Sequence, residues 1–470
     1  MKEKTDLIYD THEKPTPGKW IILALQHVFA MFGATILVPL LVNQAAKAEV
    51  LTIPVALVMS GIGTLIYIWC TKGKSPVYLG SSFAYITPIA VAFAKGGVSG
   101  FVTGVVGVGL IYVLFALLIK LFGKDWIDKL LPPIVIGPMI MIIGLSLAPS
   151  AVSQMGLSTG AVEWKNLIVA LVAFLVTAIT AVGAKGFLKV IPFLIGIVSG
   201  YVVAIILGLV DFTAVGQASF FELPKFLIPF KDYTFSLVGF LTIAPIALVT
   251  IAEHIGDHMA LSTIIKKDLI KEPGLEKTIL GDGLATTVAG LFGGPANTTY
   301  GENTSVVGMT KVASVWVIGL AAIIAICIGF LGKLSAVFST IPNPVLGGVS
   351  LLLYGFIAVN GLKVLVKNQI NFENIRNVII ASSMLVLGLG GAILTLESGD
   401  VSVSITGMSL AAIVGILLNL FLPEVKEETV KEEKVEKEVK EIKVNETQKI
   451  TVKKPSNNNT KTKKKPVKRK

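Results

Sequence analysis

Apolar residues occur along this chain in long runs that are separated by short polar segments. Runs such as 101–121, 134–148, 166–182, 315–331 and 378–394 contain few or no charged residues. As helices, most of them are about long enough to cross a hydrocarbon core of ~30 Å. The pattern predicts an all-α polytopic membrane protein.

Hydropathy and helix-breaking residues predict about fourteen crossings. They lie at 20–41, 50–70, 78–93, 97–121, 131–147, 167–182, 187–209, 235–264, 279–292, 300–309, 313–331, 344–359, 378–394 and 405–422. The first run lacks a small-residue cleavage site and precedes many more spans. We therefore interpret it as the first helix and not as a signal peptide.

The basic residues of the loops predict the orientation. With a cytoplasmic N-terminus, 19 Lys and Arg residues before the basic tail fall on the inner side and 6 on the outer side. Loops on the cytoplasmic side of a membrane protein carry an excess of basic residues. The bias predicts a multi-pass protein of the cell membrane with both termini in the cytoplasm.

Two of the predicted spans are weak. The third, YLGSSFAYITPIAVAF, and the approach to the tenth, GGPANTTYGENTSVVGM, are rich in Gly, Pro, Ser, Thr or Asn. Irregular backbone at membrane depth is tolerated only inside protein or beside a wet cavity. The two spans are equivalent if the chain is two inverted repeats of seven, and such interrupted segments indicate a transporter binding site. We expect a 7+7 inverted repeat whose third and tenth spans are broken by short extended stretches.

Composition agrees with a membrane protein and locates the charge. Of the 470 residues 53% are hydrophobic and 15% charged, whereas about a quarter of a soluble protein is charged. The net charge of +11 is concentrated in 424–470, which holds 16 Lys and Arg and 9 Glu and leaves the rest at +4. We expect 423–470 to be a disordered cytoplasmic tail, with attraction to anionic lipid heads as the alternative. Cys70 and Cys327 lie in apolar runs and are interpreted as small hydrophobic residues.

The candidate chemistry is concentrated at 245–260, PIALVTIAEHIGDHMA, where an apolar helix carries four ionisable side chains. Glu253 and Asp257 share one helix face, and His254 and His258 share the next. A carboxylate in a bilayer is costly unless it is paired, protonated or in contact with water, so it indicates a functional site. For the two histidines, satisfied packing or an interface role is the simpler interpretation.

Glu302, in TTYGENTS, is a second carboxylate at membrane depth. Carboxylates accept hydrogen bonds, and backbone N–H groups left free near Ser82, Phe83 and Gly301 donate them. A small neutral ligand with ring N–H groups beside carbonyls, such as uracil or a purine-dione, satisfies both. Tyr354 and Phe83 offer a flat apolar contact for a ring, with ordinary membrane packing as the alternative.

Other polar residues leave alternatives open. Gln26 and His27 either hold the cavity side of Glu253 or brace the first helix. A zinc metallopeptidase helix also has two histidines four apart, but it needs its Glu directly after the first one and a third ligand elsewhere. Here Ile255 occupies that position, so this enzyme class is disfavoured.

Five motifs occur in order and with compatible spacing: QHVFAMFGATILVP at 26–39, YLGSSFAYITP at 78–88, AEHIGDH at 252–258, NTTYGEN at 297–303 and NPVLGGVSLLLYG at 343–355. Together they closely resemble the nucleobase:cation symporter-2 (nucleobase-ascorbate transporter) family, in particular its bacterial uracil carriers. The similarity covers about 15–422.

The resemblance implies a division into domains. A cytoplasmic segment at 1–18 precedes a core domain formed by 19–122 and 235–332, and a gate domain is formed by 130–210 and 341–422. It further implies a transporter and not an enzyme, H+ as the coupling ion with no cofactor or metal, and a homodimer in the bilayer with no nucleic-acid partner.

The resemblance also assigns the site residues. Glu253 and Glu302 match the substrate-binding glutamates, Phe83 and Gly301 the residues whose backbone amides reach the base, Tyr354 the gate-side aromatic, and Ala34, Ser82 and Tyr300 lesser pocket positions. Proton coupling is assigned to Glu253 and Asp257, and Gln26, His27 and His254 are supporting polar residues.

The expected function, as the resemblance implies, is proton-coupled import of a nucleobase, namely uracil, across the cytoplasmic membrane by alternating access. Asp257 departs from the pattern, because a uracil carrier of this family has His four residues after the glutamate, and Asp at this position is familiar from purine-selective relatives. A xanthine or purine symporter of the same family is therefore the alternative. An anion exchanger or channel of the same fold is more distant, since two carboxylates in the site repel an anion.

Overall fold

The structure, a computed structural model, describes residues 7–158, 160, 163–398 and 401–423. Its α-helices are α1 (Pro17–Ala46), α2 (Ile53–Cys70), α3 (Ile86–Phe122), α4 (Asp125–Leu130), α5 (Pro133–Ser146), α6 (Ala148–Gln154), α7 (Trp164–Gly183), α8 (Pro192–Ile206), α9 (Thr213–Gln217), α10 (Leu237–Ile243), α11 (Ala247–Ile265), α12 (Leu275–Leu291), α13 (Gly301–Thr310), α14 (Val315–Gly329), α15 (Gly332–Ser339), α16 (Asn343–Lys367), α17 (Ile375–Leu389) and α18 (Gly407–Phe421). The strands are β1 (Leu79–Ser81), β2 (Asn297–Thr299), β3 (Ile393–Ser398) and β4 (Val401–Thr406). Short 3-10 helices cover Phe83–Tyr85, Gly186–Val190 and Ala244–Ile246, and a π-helical turn covers Ile270–Gly274. The predicted disordered tail lies outside the described residues.

Each predicted crossing coincides with a helix. Within the described ranges, seven helical stretches are long and apolar enough to cross a membrane, and the bent pair α14 and α15 makes an eighth. Three further apolar helices, α8, α17 and α18, are shorter. The helical parts of the third and fourth predicted spans join in one element, α3. Its backbone departs from helical geometry at Gly97, where a φ of +56° favours glycine. The prediction of an all-α polytopic protein is confirmed.

The two weak spans meet each other. β1 and β2 pair antiparallel, with Leu79 opposite Thr299 and Ser81 opposite Asn297. The pairing continues at both ends, where the Ser82 N–H donates to Ala296 O at 2.9 Å and the Tyr300 N–H donates to Tyr78 O at 3.0 Å. The extended backbone is thus satisfied inside the protein, as membrane depth requires. The predicted extended breaks in the third and tenth spans are confirmed.

Glycines allow the surrounding helices to approach closely. α3 packs along α12, where a Cβ on Gly109 would lie 2.6 Å from the carbonyl oxygen of Gly283. Small residues are the usual means of close helix packing in membranes, where apolar burial between helices drives little association. This contact fixes α12, which in turn contacts β2.

The helices pack in two sets of neighbours. In the first, α3 packs against α10 and α12, and α2 against α12 and α14; in the second, α16 packs against α5 and α7, and α17 against α18. The first set falls within the predicted core and the second within the predicted gate. The division into core and gate stays a prediction.

The N-terminal segment is held against the first set. The Ile8 N–H donates to Lys311 O at 2.7 Å, and the Ala313 N–H donates to Tyr9 O at 2.9 Å. Lys267 Nζ lies 2.5 Å from Asp10 Oδ1. Partial burial opposes the effect of this pair, but the hydrogen bonds from Lys267 and from the Thr11 N–H outweigh it and lower the pKa of Asp10. The segment therefore ties together the ends of α11, α13 and α14.

Candidate functional site

Helix α11 presents its ionisable side chains to two different environments. His254 and His258 are fully buried, whereas Glu253 and Asp257 are partly exposed. Residues four apart share a helix face, so the two carboxylates lie on one face and the two histidines on another. The partly exposed carboxylates therefore adjoin accessible space, which we call the gap, and the buried histidines face protein.

Two consecutive hydroxyls of β2 meet the carboxylates of α11. Thr298 Oγ1 donates to Glu253 Oε2 at 3.5 Å, and the Thr299 hydroxyl donates to Asp257 Oδ2. Both threonines are buried and lie on a strand whose register is fixed by β1. The broken tenth span thereby fixes where the acidic side chains of α11 lie.

Glu302 is also partly exposed and lies on α13, which packs against α11. It lies in the first turn of that helix, directly after Gly301. The first N–H groups of a helix have no intrahelical acceptor, and the partial positive charge there favours a carboxylate. A Cβ on Gly301 would meet no heavy atom within 4 Å, so open space lies beside its backbone. Glu302 is within electrostatic range of Glu253 and Asp257, and the structure thus brings the three predicted acidic residues together.

An aromatic pair lies at the junction of the two helix sets. Phe83 begins the 3-10 helix that follows β1, and Tyr354 belongs to α16. Their ring centroids are 6.2 Å apart in an edge-to-face arrangement. The Ser82 hydroxyl beside Phe83 is buried and has no hydrogen-bond partner within the described part of the chain. The start of this 3-10 helix, like that of α13, leaves backbone N–H groups without intrahelical acceptors.

The lesser pocket positions brace the site. The Tyr300 hydroxyl donates to Ser81 O at 3.2 Å and pairs with the Thr35 hydroxyl at 3.0 Å. It therefore links α1 to the broken spans. Ala34, next to Thr35 on α1, is buried.

His27 and Gln26 differ in their surroundings. Asn303 Nδ2 lies 3.1 Å from His27 Nδ1 and donates to His27 O at 3.1 Å, so His27 joins α1 to α13 beside Glu302. Gln26 Oε1 is buried without a hydrogen-bond partner among the described residues. Of the two interpretations that the sequence left open, the contacts of His27 favour the brace.

Sequence analysis missed Asp282. Its Oδ2 atom lies 2.8 Å from His254 Nδ1, and both side chains are fully buried. The His254 and His258 rings stack with centroids 4.1 Å apart, and His258 Nε2 lies 2.6 Å from the Tyr67 hydroxyl. This network occupies the side of α11 away from the gap. The signal was available, because Asp282 is an acidic residue within the apolar ninth span.

The described part of the chain contains no group of three His, Cys, Asp or Glu residues placed to hold a metal ion. The two histidines of α11 contact Asp282, Tyr67 and each other, which is the contact pattern of packing residues.

Comparison with known proteins identifies close relatives. The family model described as "Permease family" matches residues 18–397. The chain is 50% identical over 434 residues to the uracil permease of Bacillus subtilis (strain 168), which covers 91% of this chain and 97% of the relative. It is 49% identical to the uracil permease of Bacillus caldolyticus, over 88% of this chain and 95% of the relative. The chain is 41% identical to the uracil permease of Escherichia coli (strain K12), over 87% of this chain and 92% of the relative.

Solved structures share the fold at low identity. The transmembrane domain of a cyanobacterium bicarbonate transporter, BicA, matches with a TM-score of 0.57 at 17% identity and covers 86% of this chain and 98% of that one. The overall structure of SLC26A9 matches with a TM-score of 0.62 at 12% identity, and the match covers 88% of this chain and 67% of that one. These similarities concern the fold alone, and they confirm the predicted 7+7 inverted repeat.

The family and these relatives are permeases and not enzymes. The match at 18–397 covers all five motifs that the sequence carries and every helix of the two sets except α18. This chain is a multi-pass membrane protein that belongs to the permease family, the nucleobase:cation symporter-2 family of small-molecule transporters.

Proposed function

We propose that this permease imports uracil together with a proton by alternating access. The observation that carries the proposal is that Glu253 and Glu302 come from two helices that pack together, close enough for their charges to interact. The names of the relatives, uracil permeases at 41–50% identity, support the choice of substrate.

The chemistry of the gap suits a flat neutral ring. Carboxylates accept the ring N–H groups of uracil, and the free N–H groups at Phe83 and Gly301 donate to its carbonyls. Tyr354 and Phe83 contact the ring. In this proposal Glu253 binds the base and senses the proton, Glu302 binds the other edge, and Asp257 takes part in coupling.

The transport cycle follows from the predicted division of the helices. A proton and the base bind from outside, the core moves against the gate, and both leave inside, with H+ as the only co-substrate and no cofactor. The lysine distribution supports a cytoplasmic membrane location with both termini inside. We also propose that the protein is a homodimer, as the family resemblance implies.

Asp257 supports a second candidate substrate, xanthine or a related purine, because purine-selective relatives carry Asp at this position. Anion exchange is disfavoured despite the fold shared with a bicarbonate transporter. Three acidic side chains around one gap repel an anion.

Uptake of labelled uracil into proteoliposomes tests the proposal. Under an imposed inward pH gradient we expect uptake that collapses with a protonophore and is blocked by unlabelled uracil. Xanthine, hypoxanthine and thymine are the competitors. Uptake of labelled xanthine without uptake of labelled uracil would move the assignment to the purine branch, and uptake that does not depend on the pH gradient would exclude coupling to a proton.

A further inference from the structure

Exposed side chains occur on one face of α11 and of α13. On α11, Ala247, Val249 and Ile251 are fully buried and Met259 is 42% exposed, whereas Leu261 and Ile265 beyond it are again buried. On α13, Met309 is 43% exposed and Val307 is buried. One face of each helix is therefore exposed near the end that the lysine distribution places in the cytoplasm.

At the opposite, predicted outer end, hydrogen bonds join the predicted core to the predicted gate. Lys95 Nζ in α3 donates to Ser404 Oγ at 2.5 Å. Ser404 is buried in strand β4, which packs against α10. The β3–β4 hairpin between α17 and α18 thus packs against the predicted core.

A second outer contact lies on another pair of elements. Gln154 Nε2, at the end of α6, donates to Gln44 Oε1 in the last turn of α1 at 2.7 Å. Gln154 is buried, and its amide also donates to Ser150 Oγ at 3.2 Å, which orients it. At the inner end, by contrast, Lys367 Nζ reaches Thr263 Oγ1 only at 3.3 Å.

We propose that the Lys95–Ser404 and Gln44–Gln154 hydrogen bonds form an outer latch, which holds the carrier closed on the outside and must break before the gap opens outward. The inference rests on the proposed alternating-access function. Both bonds join elements of the predicted core to elements of the predicted gate, so a relative movement of the two breaks them. Their loss favours the outward-open state, and a ligand offered from outside then binds at a lower concentration, since apparent affinity scales with the population of the competent state.

The test uses the full-length chain in right-side-out and inside-out vesicles, with labelled uracil as the probe. The single variants Lys95→Met, Ser404→Ala and Gln44→Ala each break one of the two hydrogen bonds. The double variant Lys95→Met with Gln44→Ala breaks both. Lys231→Met, in a predicted outer loop with an exposed side chain, is the matched control. Size-exclusion profiles identify any variant that fails to fold, and Ser404→Ala keeps the test available if Lys95→Met is one of these.

For the double variant we expect the uracil concentration that half-saturates uptake from the outer face to fall on the order of three- to ten-fold. At the inner face we expect no fall in this concentration. Ser404→Ala is expected to shift it in the same direction, and Lys231→Met to match the wild type. Half-saturation that stays at the wild-type value on the outer face, or falls equally on both faces, overturns the latch.

A second measurement separates failure of the latch from failure of the proposed function. In a chain with Cys70→Ser and Cys327→Ser, a short bifunctional thiol reagent is added to the pair Lys95→Cys and Ser404→Cys. Efficient cross-linking without any substrate supports the closed outer end, even if the wild type does not carry uracil. Absence of cross-linking in a folded protein contradicts it.

Discussion

Asp282 and His254 form a buried pair that the transported ligand does not need to touch. The pair joins α11 to α12, and α12 also holds β2, since the Asn297 side-chain amide donates to Ala285 O at 3.2 Å. The carboxylates of α11 and the threonines of β2 are therefore positioned by the same helix. A buried polar group that loses its partner costs more than the bond itself contributed.

We predict that Asp282→Ala destabilises the protein by about 1–3 kcal/mol, because it leaves the His254 ring nitrogen buried without its partner. Asp282→Asn, which keeps an acceptor oxygen, should lose less. The thermal midpoint of purified protein in detergent measures the effect, with the exposed Asp128→Ala as control. Equal midpoints for Asp282→Ala and wild type contradict the structural role.

At the scale of single residues, the sequence could predict which side chains share a helix face but not which residues they contact. Spacing alone separated Glu253 and Asp257 from His254 and His258. It could not predict which face meets Asp282, because Asp282 lies 28 positions after His254 and the path of the intervening loop decides the contact. The partners of Thr298 and Thr299 depend likewise on the strand pairing of two distant spans.

At the scale of elements, close approach of helices depends on glycine. The contact of α3 with α12 has no room for a side chain at Gly109, where a Cβ would lie 2.6 Å from Gly283 O. Because α12 holds β2, any separation of these two helices moves the broken span as well. The element that we propose to bind the ligand is thus supported by a contact remote from it in sequence.

We predict that Gly109→Leu prevents correct packing of α12, with a loss of about 1–3 kcal/mol or more from overpacking. Gly183→Leu, at the exposed end of α7 with no heavy atom within 4 Å of its Cβ position, is the control. Size-exclusion chromatography and the thermal midpoint report the difference. A well-folded Gly109→Leu protein with normal stability would argue against the observed packing.

The broken spans were the most predictable elements. The density of Gly, Pro, Ser, Thr and Asn near Ser82 and Gly301 indicated non-helical backbone at membrane depth, and β1 and β2 occur there. Their pairing with each other was not predicted, because hydrogen bonding between strands more than 200 residues apart leaves no local pattern. The β3–β4 hairpin was missed for another reason: its apolar residues extend the hydropathy signal of the thirteenth span.

For the whole molecule, the alternation of apolar runs and lysines predicted the number and order of the spans. The same reasoning cannot predict which end of the gap is open, because that depends on contacts such as Lys95–Ser404 between separate helix sets. The orientation in the membrane follows only from the lysine bias.

We predict that Lys231→Cys reacts with a membrane-impermeant thiol reagent added to intact cells, whereas Lys363→Cys reacts only after permeabilisation. Both are made in a chain with Cys70→Ser and Cys327→Ser. The reason is the excess of basic residues on the inner side. The reverse labelling pattern would invert the proposed topology.

The central claim is that Glu253 and Glu302 bind one uncharged base between them. Equilibrium binding of labelled uracil to purified wild type, Glu253→Gln and Glu302→Gln tests it most directly, with Glu163→Gln on a predicted outer loop as control. We expect saturable binding by the wild type and the control, and a loss of at least about ten-fold in affinity for each site variant, because each substitution removes a charged hydrogen-bond acceptor for the base. Wild-type affinity in either folded site variant would contradict the claim.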